Sequence, residues 1–356
     1  LRKYLRFTVL ILVALILLWF FGRNLDWVEV GRILRRANWL YLIIAVAIIC
    51  LGYLLRAVRW RVLLEPITES SMKELFATTT VGFAAIFLIG RAGEIVRPMW
   101  LPMRDRRVRP SAAIVTIALE RVFDLASLIC FFSFSLIWFT PPSGHESEYA
   151  SIKFVGNAML VCTFIGIAGL IAYQRYSDVI ISWFSRQTER NFVPRRLRSI
   201  LLSLLRQLAT SLVILRSWQE ILLVTFWTVA LWFAIAVPTW LVILAFELPL
   251  SFVDSIFIMG VASMGSLIPT PGGAAGAFHA ATAGSLMLLN IDRDNAAAVS
   301  IIMHLVYFAP AIIFGLYYFI HGDISVERFK SLLSSEHAVE EIESESPDFD
   351  LPRKQI

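Results

Sequence analysis

Charge is what this chain has least of. Only 17% of its 356 residues are Asp, Glu, Lys or Arg, against 58% hydrophobic, which is too little polar side chain to cover a water-facing surface. A soluble domain is thereby excluded. Cysteine is scarce as well: Cys50, Cys130 and Cys162 all fall inside apolar runs, without a CxxC pair. That excludes a disulfide framework or a thiolate metal centre and leaves them as packing residues. Catalytic signatures such as HExxH, GxSxG and the phosphate-binding GxxxxGK stretch are missing too, so no catalytic residue, metal ligand or cofactor is expected. The formal charge of +5 would raise nucleic acid as a partner of a soluble protein. Here the arginines crowd beside apolar runs, where topology accounts for them, and no nucleic-acid partner is expected.

What is present is a succession of apolar runs, several of them near the 18 or so residues needed to cross a hydrocarbon core of roughly 30 Å. They cover about Tyr4 to Phe21, Trp39 to Leu55, Glu74 to Ile89, Ser111 to Phe139, Ile152 to Tyr173, Glu220 to Phe246, Phe252 to Ile268, Ala274 to Leu289 and Ala296 to Ile320. The first run lacks a small-residue cleavage site and reads as a retained helix rather than a signal peptide. The expected fold class is an all-α integral membrane protein of about six to eight transmembrane helices. One polytopic membrane domain covers 1–320, and an acidic tail, 321–356, has too little to bury and is expected to be disordered.

Basic residues set the orientation. Arg56, Arg59 and Arg61 crowd one connection, Arg91 to Arg109 another and Arg175 to Arg216 a third, whereas Pro141 to Ser151 has neither Lys nor Arg. The three basic connections are expected in the cytoplasm, with both termini, in a cell (inner) membrane. The stretch Gly22 to Asn38, with Arg23, Arg32, Arg35 and Arg36, then falls outside as an exception. Parity requires the segment between Arg61 and Arg104 to enter and leave on one face. It reads as a re-entrant hairpin turning near Gly90-Arg91-Ala92-Gly93, with its irregular backbone inside protein or beside a water-filled cavity. A second hairpin, re-entrant or fully spanning, is expected where Pro269-Thr270-Pro271-Gly272-Gly273 interrupts a helix. The order span, span, hairpin, span then occurs twice, in opposite orientation, as an inverted repeat would give. Within 174–219, Leu197, Leu201, Leu204, Leu208, Leu212 and Leu215 recur at helical spacing among arginines. This basic amphipathic helix either lies on anionic headgroups or packs against its own bundle.

The candidate site is a set of charges at bilayer depth. Glu120, Arg121 and Asp124 sit in the middle of an apolar helix, where each charge costs roughly 2.5 kcal/mol or more. Their spacing of three and four residues aims them at one cavity. An internal ion pair would satisfy Arg121, and the excess carboxylate asks for a further partner. The first hairpin offers one in Arg91, Glu94 and Arg97, since planar guanidinium forks fit phosphate. The bland alternative is that Arg91 and Arg97 are ordinary positive-inside arginines. In the second hairpin, Pro271, Gly272, Gly273 and Gly276 open a helix whose free N–H groups would attract an anion. His279 follows, either proton-sensitive or satisfied by a neighbouring helix.

In this order, Gly90-Arg91-Ala92-Gly93-Glu94 with Arg97, Glu120-Arg121 with Asp124, and Pro269 to Gly276 resemble the successive motifs of the flippase-like membrane domain of lysylphosphatidylglycerol synthases. The likeness runs from about Leu5 to Ile320. The chain departs from it in carrying His279 where many relatives have an acidic residue. In two-domain members, the resemblance implies, the membrane part moves an aminoacylated phospholipid after a cytoplasmic domain has made it. The tail after Ile320 is too short for such a domain, so the expectation is a stand-alone member and transport rather than synthesis.

The function expected is translocation of an anionic or phosphate-bearing lipid, an anionic phospholipid or a polyprenyl-phosphate-linked lipid, through a midplane site. Two other classes compete. One is a membrane-embedded transferase acting on such lipids, for which Glu146, Glu148, Asp292 and Asp294 are scattered candidates on short loops. The other is a non-transporting partner of a lipid-modifying enzyme.

Overall fold

The computed structural model describes residues 19, 25–138, 146–190, 202, 218–268 and 270–321. The apolar run Tyr4 to Phe21 (Trp19 apart), most of the leucine-rich basic segment within 174–219, and the acidic tail beyond residue 321 lie outside these. All regular structure among the described residues is helical. In chain order the helices are α1 (Trp27–Arg36), α2 (Trp39–Leu64), α3 (Met72–Ile89), a 3₁₀ turn (Gly90–Ile95), α4 (Val96–Arg104), α5 (Pro110–Trp138), α6 (Glu146–Arg190) and α7 (Trp218–Ala245). They continue with α8 (Phe252–Gly265), the single turn α9 (Pro271–Ala274), α10 (Ala277–Leu288) and α11 (Arg293–Ile320). Among the described residues, four stretches are long and apolar enough to cross a membrane: α2, Tyr149–Tyr173 within α6, α7 and α11. The protein is a multi-pass membrane protein.

Local chemistry fixes the helix starts. Asp26, Asn38, Ser251 and Asp292 cap α1, α2, α8 and α11 with side-chain oxygens that accept otherwise orphaned N–H groups. At Ser251 a reciprocal capping box with Asp254 forms. These starts share one end of the bundle with the end of α7. There the Asn38 N–H donates to the Ala245 carbonyl at 2.8 Å and the Asp26 N–H to Asp294 Oδ1 at 3.3 Å. At the opposite end Ser71 caps α3, Ser70 donates to Asp105 at 2.9 Å, and Trp100 stacks on Phe319 of α11 at 5.5 Å.

The two hairpins enter from these opposite ends. Arg104, the last residue of α4, donates to Glu74 in the first turn of α3 at 2.7 and 3.0 Å, so the chain returns to the side it left. The two arms of this hairpin therefore meet at its base. Gly93 allows the tip to fold back, because a Cβ there would stand 2.4 Å from the backbone of Ala85. In the second hairpin α8 and α10 have 14 and 12 residues, about 21 and 18 Å, and neither arm alone crosses roughly 30 Å. Gly265 lets them meet: a Cβ there would lie 2.5 Å from Ala281 Cβ. The tips of the two hairpins touch, since a Cβ on Gly273 would come 2.9 Å from Phe87 of α3 and 3.0 Å from Phe308 of α11.

The largest core unites the first half of α2 with α7, α8, α10 and α11. A second joins the far end of α2 to α3, α4 and α5 around Trp60 and Leu101. Two expectations need correction. The stretch Gly22 to Asn38 is not simply a connection: it contains α1, whose Val30, Ile33 and Leu34 pack on Ala297 and Ala298 at the start of α11. Arg56, Arg59 and Arg61 likewise lie in no connection, because α2 runs on to Leu64. The apolar pattern stops near Leu55 only because the buried positions beyond it include an ion-paired arginine.

Candidate functional site

The charged residues of the middle of α5 lie about 15 to 21 Å along that helix from Pro110, far from either end. Four elements converge on them: α2, the first hairpin, α5 and α7. Glu120 and Arg97 are both buried, at 1% and 2% exposure, and Arg97 Nη1 donates to Glu120 Oε2 at 2.8 Å. The Arg97 guanidinium lies 4.4 Å from the centre of the Trp60 ring, a cation–π contact. That ring is held in turn by its Nε1–H donating to Thr116 at 3.0 Å. Gly82 on the facing arm of the hairpin makes room, since a Cβ there would stand 2.1 Å from Arg97 Cγ.

Arg59 forms the second pair. It is wholly buried, and Nη1 and Nη2 grip the two oxygens of Asp124 at 2.6 and 3.2 Å as a fork. Nη1 also reaches Thr228 of α7 at 3.3 Å, and Nη2 stands 3.9 Å from Glu120 Oε1. A bidentate guanidinium–carboxylate contact in a dry environment is among the strongest polar contacts available. It satisfies Asp124 from behind. Arg121, by contrast, comes no closer than 3.8 Å to Asp124, too far for a hydrogen bond, and its buried Nε has no partner among the described residues.

In front of this layer is a cavity of about 470 Å³, and its charged wall is Arg56, Glu94, Arg121 and Asp124. The rest is largely apolar and aromatic, including Tyr53, Phe83, Trp232, Phe278 and Phe308, with Ser263 and Ser266 contributing hydroxyls. Arg56 lies over the Phe83 ring at 4.6 Å, and no carboxylate among the described residues comes within salt-bridge distance of it. Concave, mostly apolar walls with a few convergent polar groups are the usual form of a ligand site. Here the charged groups are two guanidiniums, Arg56 and Arg121, and two carboxylates, Glu94 and Asp124, the latter already held by Arg59.

Of the residues expected at the site, Glu94, Arg121 and Asp124 line this cavity, while Arg97 and Glu120 form the buried layer behind it. The backbone of Arg91 belongs to the 3₁₀ turn at the hairpin tip, and its side chain lies outside the described set. Gly272, Gly273 and Gly276 have φ of 75°, 65° and 85°, conformations glycine adopts without Cβ strain. With Pro271 at the first helical position they shape the second tip, close to Phe87 and the first hairpin. His279 does not reach the cavity wall. It packs 4.8 Å from His304 of α11 and 3.5 Å from Ser300, as a histidine accommodated by a neighbouring helix does. His304 in turn meets the Gly273 carbonyl at 3.3 Å.

Sequence reasoning missed Arg56 and Arg59. The available signal was their spacing: three residues place both on one helix face, directly after an apolar run and with no turn residue between. No group of three or more potential metal-ligating side chains occurs among the described residues, Asp292 and Asp294 included. A search of the curated proteins gave no match. Residues 7–315 match the model of the lysylphosphatidylglycerol synthase TM region, and the chain belongs to that family.

Proposed function

We propose that the protein translocates an anionic, phosphate-bearing lipid across the cell membrane, with the headgroup held in the cavity between the two hairpin tips. The observation that carries this reading is Arg56 and Arg121. Both face a cavity at membrane depth, and neither is hydrogen-bonded to a carboxylate among the described residues. A guanidinium is costly to keep there unless an anion joins it, and its planar fork suits phosphate oxygens. Leu125 and Leu267, both on the cavity wall and 52% exposed, offer an apolar flank past which acyl chains can stay in the bilayer.

The architecture supports movement as well as binding. The units α2, first hairpin, α5 and α7, second hairpin, α11 run in opposite directions. We read them as an inverted repeat of the kind that exposes a midplane site alternately to either face. The Arg104 end is read as cytoplasmic. Arg61, Lys73, Arg104, Arg106, Arg107, Arg109, Arg175 and Arg186 lie there, more basic residues than Arg32, Arg35, Arg36, Lys153 and Arg293 at or near the other end, as the positive-inside rule asks. The end of α11 is then cytoplasmic.

The test is lipid flipping in proteoliposomes across labelled phospholipids and polyprenyl phosphates, comparing wild type with Arg56→Ala and Arg121→Ala, each shown to be monodisperse. Wild type is expected to move one class of anionic lipid, and each variant to do so at least about tenfold more slowly, equivalent to about 1.4 kcal/mol. Equal rates in all three rule the site out. Chemical conversion of the lipid instead of movement replaces the reading with a transferase.

A further inference from the structure

We propose that Arg59 is the positioning residue that keeps Arg121 available to a ligand, although Arg59 itself never reaches the cavity. The inference deepens the anionic-headgroup reading, on which its functional meaning rests.

The argument starts from competition for one carboxylate. Asp124 lies three residues after Arg121 on α5, the spacing at which an arginine and an aspartate on a helix pair readily. In isolation those two would close on each other, and the cavity wall would present a neutral pair. They do not close. Arg121 stands off at 3.8 Å, while Arg59 takes both Asp124 oxygens at 2.6 and 3.2 Å.

The geometry of Arg59 suits this task. It comes from a different helix, α2, and is wholly buried, with Thr228 Oγ1 at 3.3 Å steadying the same nitrogen that holds Asp124. The Thr228 hydroxyl donates to the Val224 carbonyl at 2.7 Å, leaving its lone pairs toward Arg59. A bidentate fork supported from a third helix outcompetes a single flexible neighbour on the same helix. Arg97 holds Glu120 through a single bond at 2.8 Å. Two carboxylates are thus neutralised from behind, and the arginines in front, Arg56 and Arg121, have no hydrogen-bonded counter-ion among the described residues.

The arrangement predicts an outcome that a merely structural Arg59 does not. Removing Arg59 frees Asp124 to pair with Arg121, so Arg121 becomes less available. Removing the Asp124 charge in addition restores it. The double variant also removes both members of a buried pair, which is generally better tolerated than removing one.

Phenylglyoxal modification of the detergent-purified full chain, mapped by peptide mass spectrometry, reads the availability of Arg121, with Arg56 in the same cavity as reference. Relative to wild type, the Arg121:Arg56 labelling ratio is expected to fall about tenfold in Arg59→Leu. It should recover to within about threefold in Arg59→Leu with Asp124→Asn, and stay near wild type in Arg59→Lys. Asp124→Asn alone, which leaves Arg59 in place, is expected to keep the ratio within about threefold of wild type. A rise of about tenfold would mean that Asp124 occupies Arg121 even with Arg59 present and overturns the proposal, which keeps it testable if Arg59→Leu does not fold. A ratio unmoved by Arg59→Leu, or a loss that Asp124→Asn does not reverse, likewise overturns the proposal. Tryptophan-fluorescence titration of the same variants with dioleoylphosphatidylglycerol, against dioleoylphosphatidylcholine, separates the two readings. If the labelling follows expectation but no anionic lipid binds, Arg59 positions Arg121 and the lipid assignment fails. If lipid binds and labelling does not follow, the role of Arg59 fails alone.

Discussion

Gly82→Ala is the substitution whose consequence can be worked most directly. The new methyl group would sit 2.1 Å from Arg97 Cγ and 2.9 Å from Cδ, well inside contact distance. These atoms are the root of the side chain, not its mobile end, and Arg97 is only 2% exposed, so the stem cannot swing into free space. It must shift, and the guanidinium then loses its 2.8 Å bond to Glu120 and its seat on Trp60. Overpacking of this kind costs about 1–3 kcal/mol, and breaking one side of a buried ion pair about 3–5 kcal/mol. Because the two losses share one movement they do not add, and about 3 kcal/mol is the expected total. At about 2 °C per kcal/mol for a chain of this size, Tm falls by about 6 °C. Fluorescence-detected gel filtration after heating in detergent measures this. Gly284→Ala is the control: nothing lies within 4 Å of its Cβ position on α10, and alanine in a helix should leave Tm unchanged or raise it. The Gly82→Ala penalty should also shrink when Arg97 is replaced by Ala and Glu120 by Met, which removes the clashing Cγ together with the ion pair. A full penalty in that background, or Gly82→Ala melting with wild type, refutes the reasoning.

Further outcomes follow from the same contacts. Gly273→Ala places a methyl group against Phe87 and Phe308 at a φ of 65°. The backbone conformation alone costs about 1–2 kcal/mol, and combining the change with Phe87→Leu should recover part of the lost Tm. If Phe87→Leu gives no relief, the tips do not touch as described. Glu74→Gln removes the carboxylate that Arg104 holds at the base of the first hairpin and should cost about 1 kcal/mol, less in high salt. No change in Tm at low salt counts against the hairpin base. Asp105, in the loop after α4, is pushed up by burial, but hydrogen bonds from Arg107 and Ser70 outweigh this and hold it below the usual carboxylate range. Its contribution is therefore present above the ordinary carboxylate value of about 3.9 and lost as pH falls through the lower folded value. Asp105→Asn should lower Tm at neutral pH by an amount that dwindles toward pH 3, and a gap constant with pH contradicts the assignment.

Much of this architecture could be read in the sequence because membranes enforce simple rules. Apolar runs mark spans, and prolines and glycines at 269–273 mark a break. Basic flanks around 74–103 force the first hairpin by parity, and the Arg104–Glu74 pair shows its closed base. The charges on α5 were legible because Glu120, Arg121 and Asp124 stand out in an apolar run. Their partners were harder to read. Arg59 looks like a loop arginine when hydropathy alone sets the end of α2, since pairing across 65 residues leaves no local pattern. The division between Arg97 behind and Arg121 in front depends on how α4 packs on α5, which spacing within either helix does not encode. The amphipathic α1 was hidden by its arginines, although Val30, Ile33 and Leu34 repeat at helical intervals.

Helix α6 carries a consequence of another kind. Its span, Tyr149–Tyr173, is only 6% buried, against 50% for the span in α11, and it rests chiefly on α5, through contacts such as Tyr149 to the Leu136 carbonyl at 2.7 Å. A helix gripped on most sides takes its tilt from its neighbours, whereas one surrounded by acyl chains takes it from the thickness of the hydrocarbon layer. Bilayers of different chain length should therefore tilt α6 while leaving α11 upright, so that lipid composition acts on this molecule first through one helix at its edge.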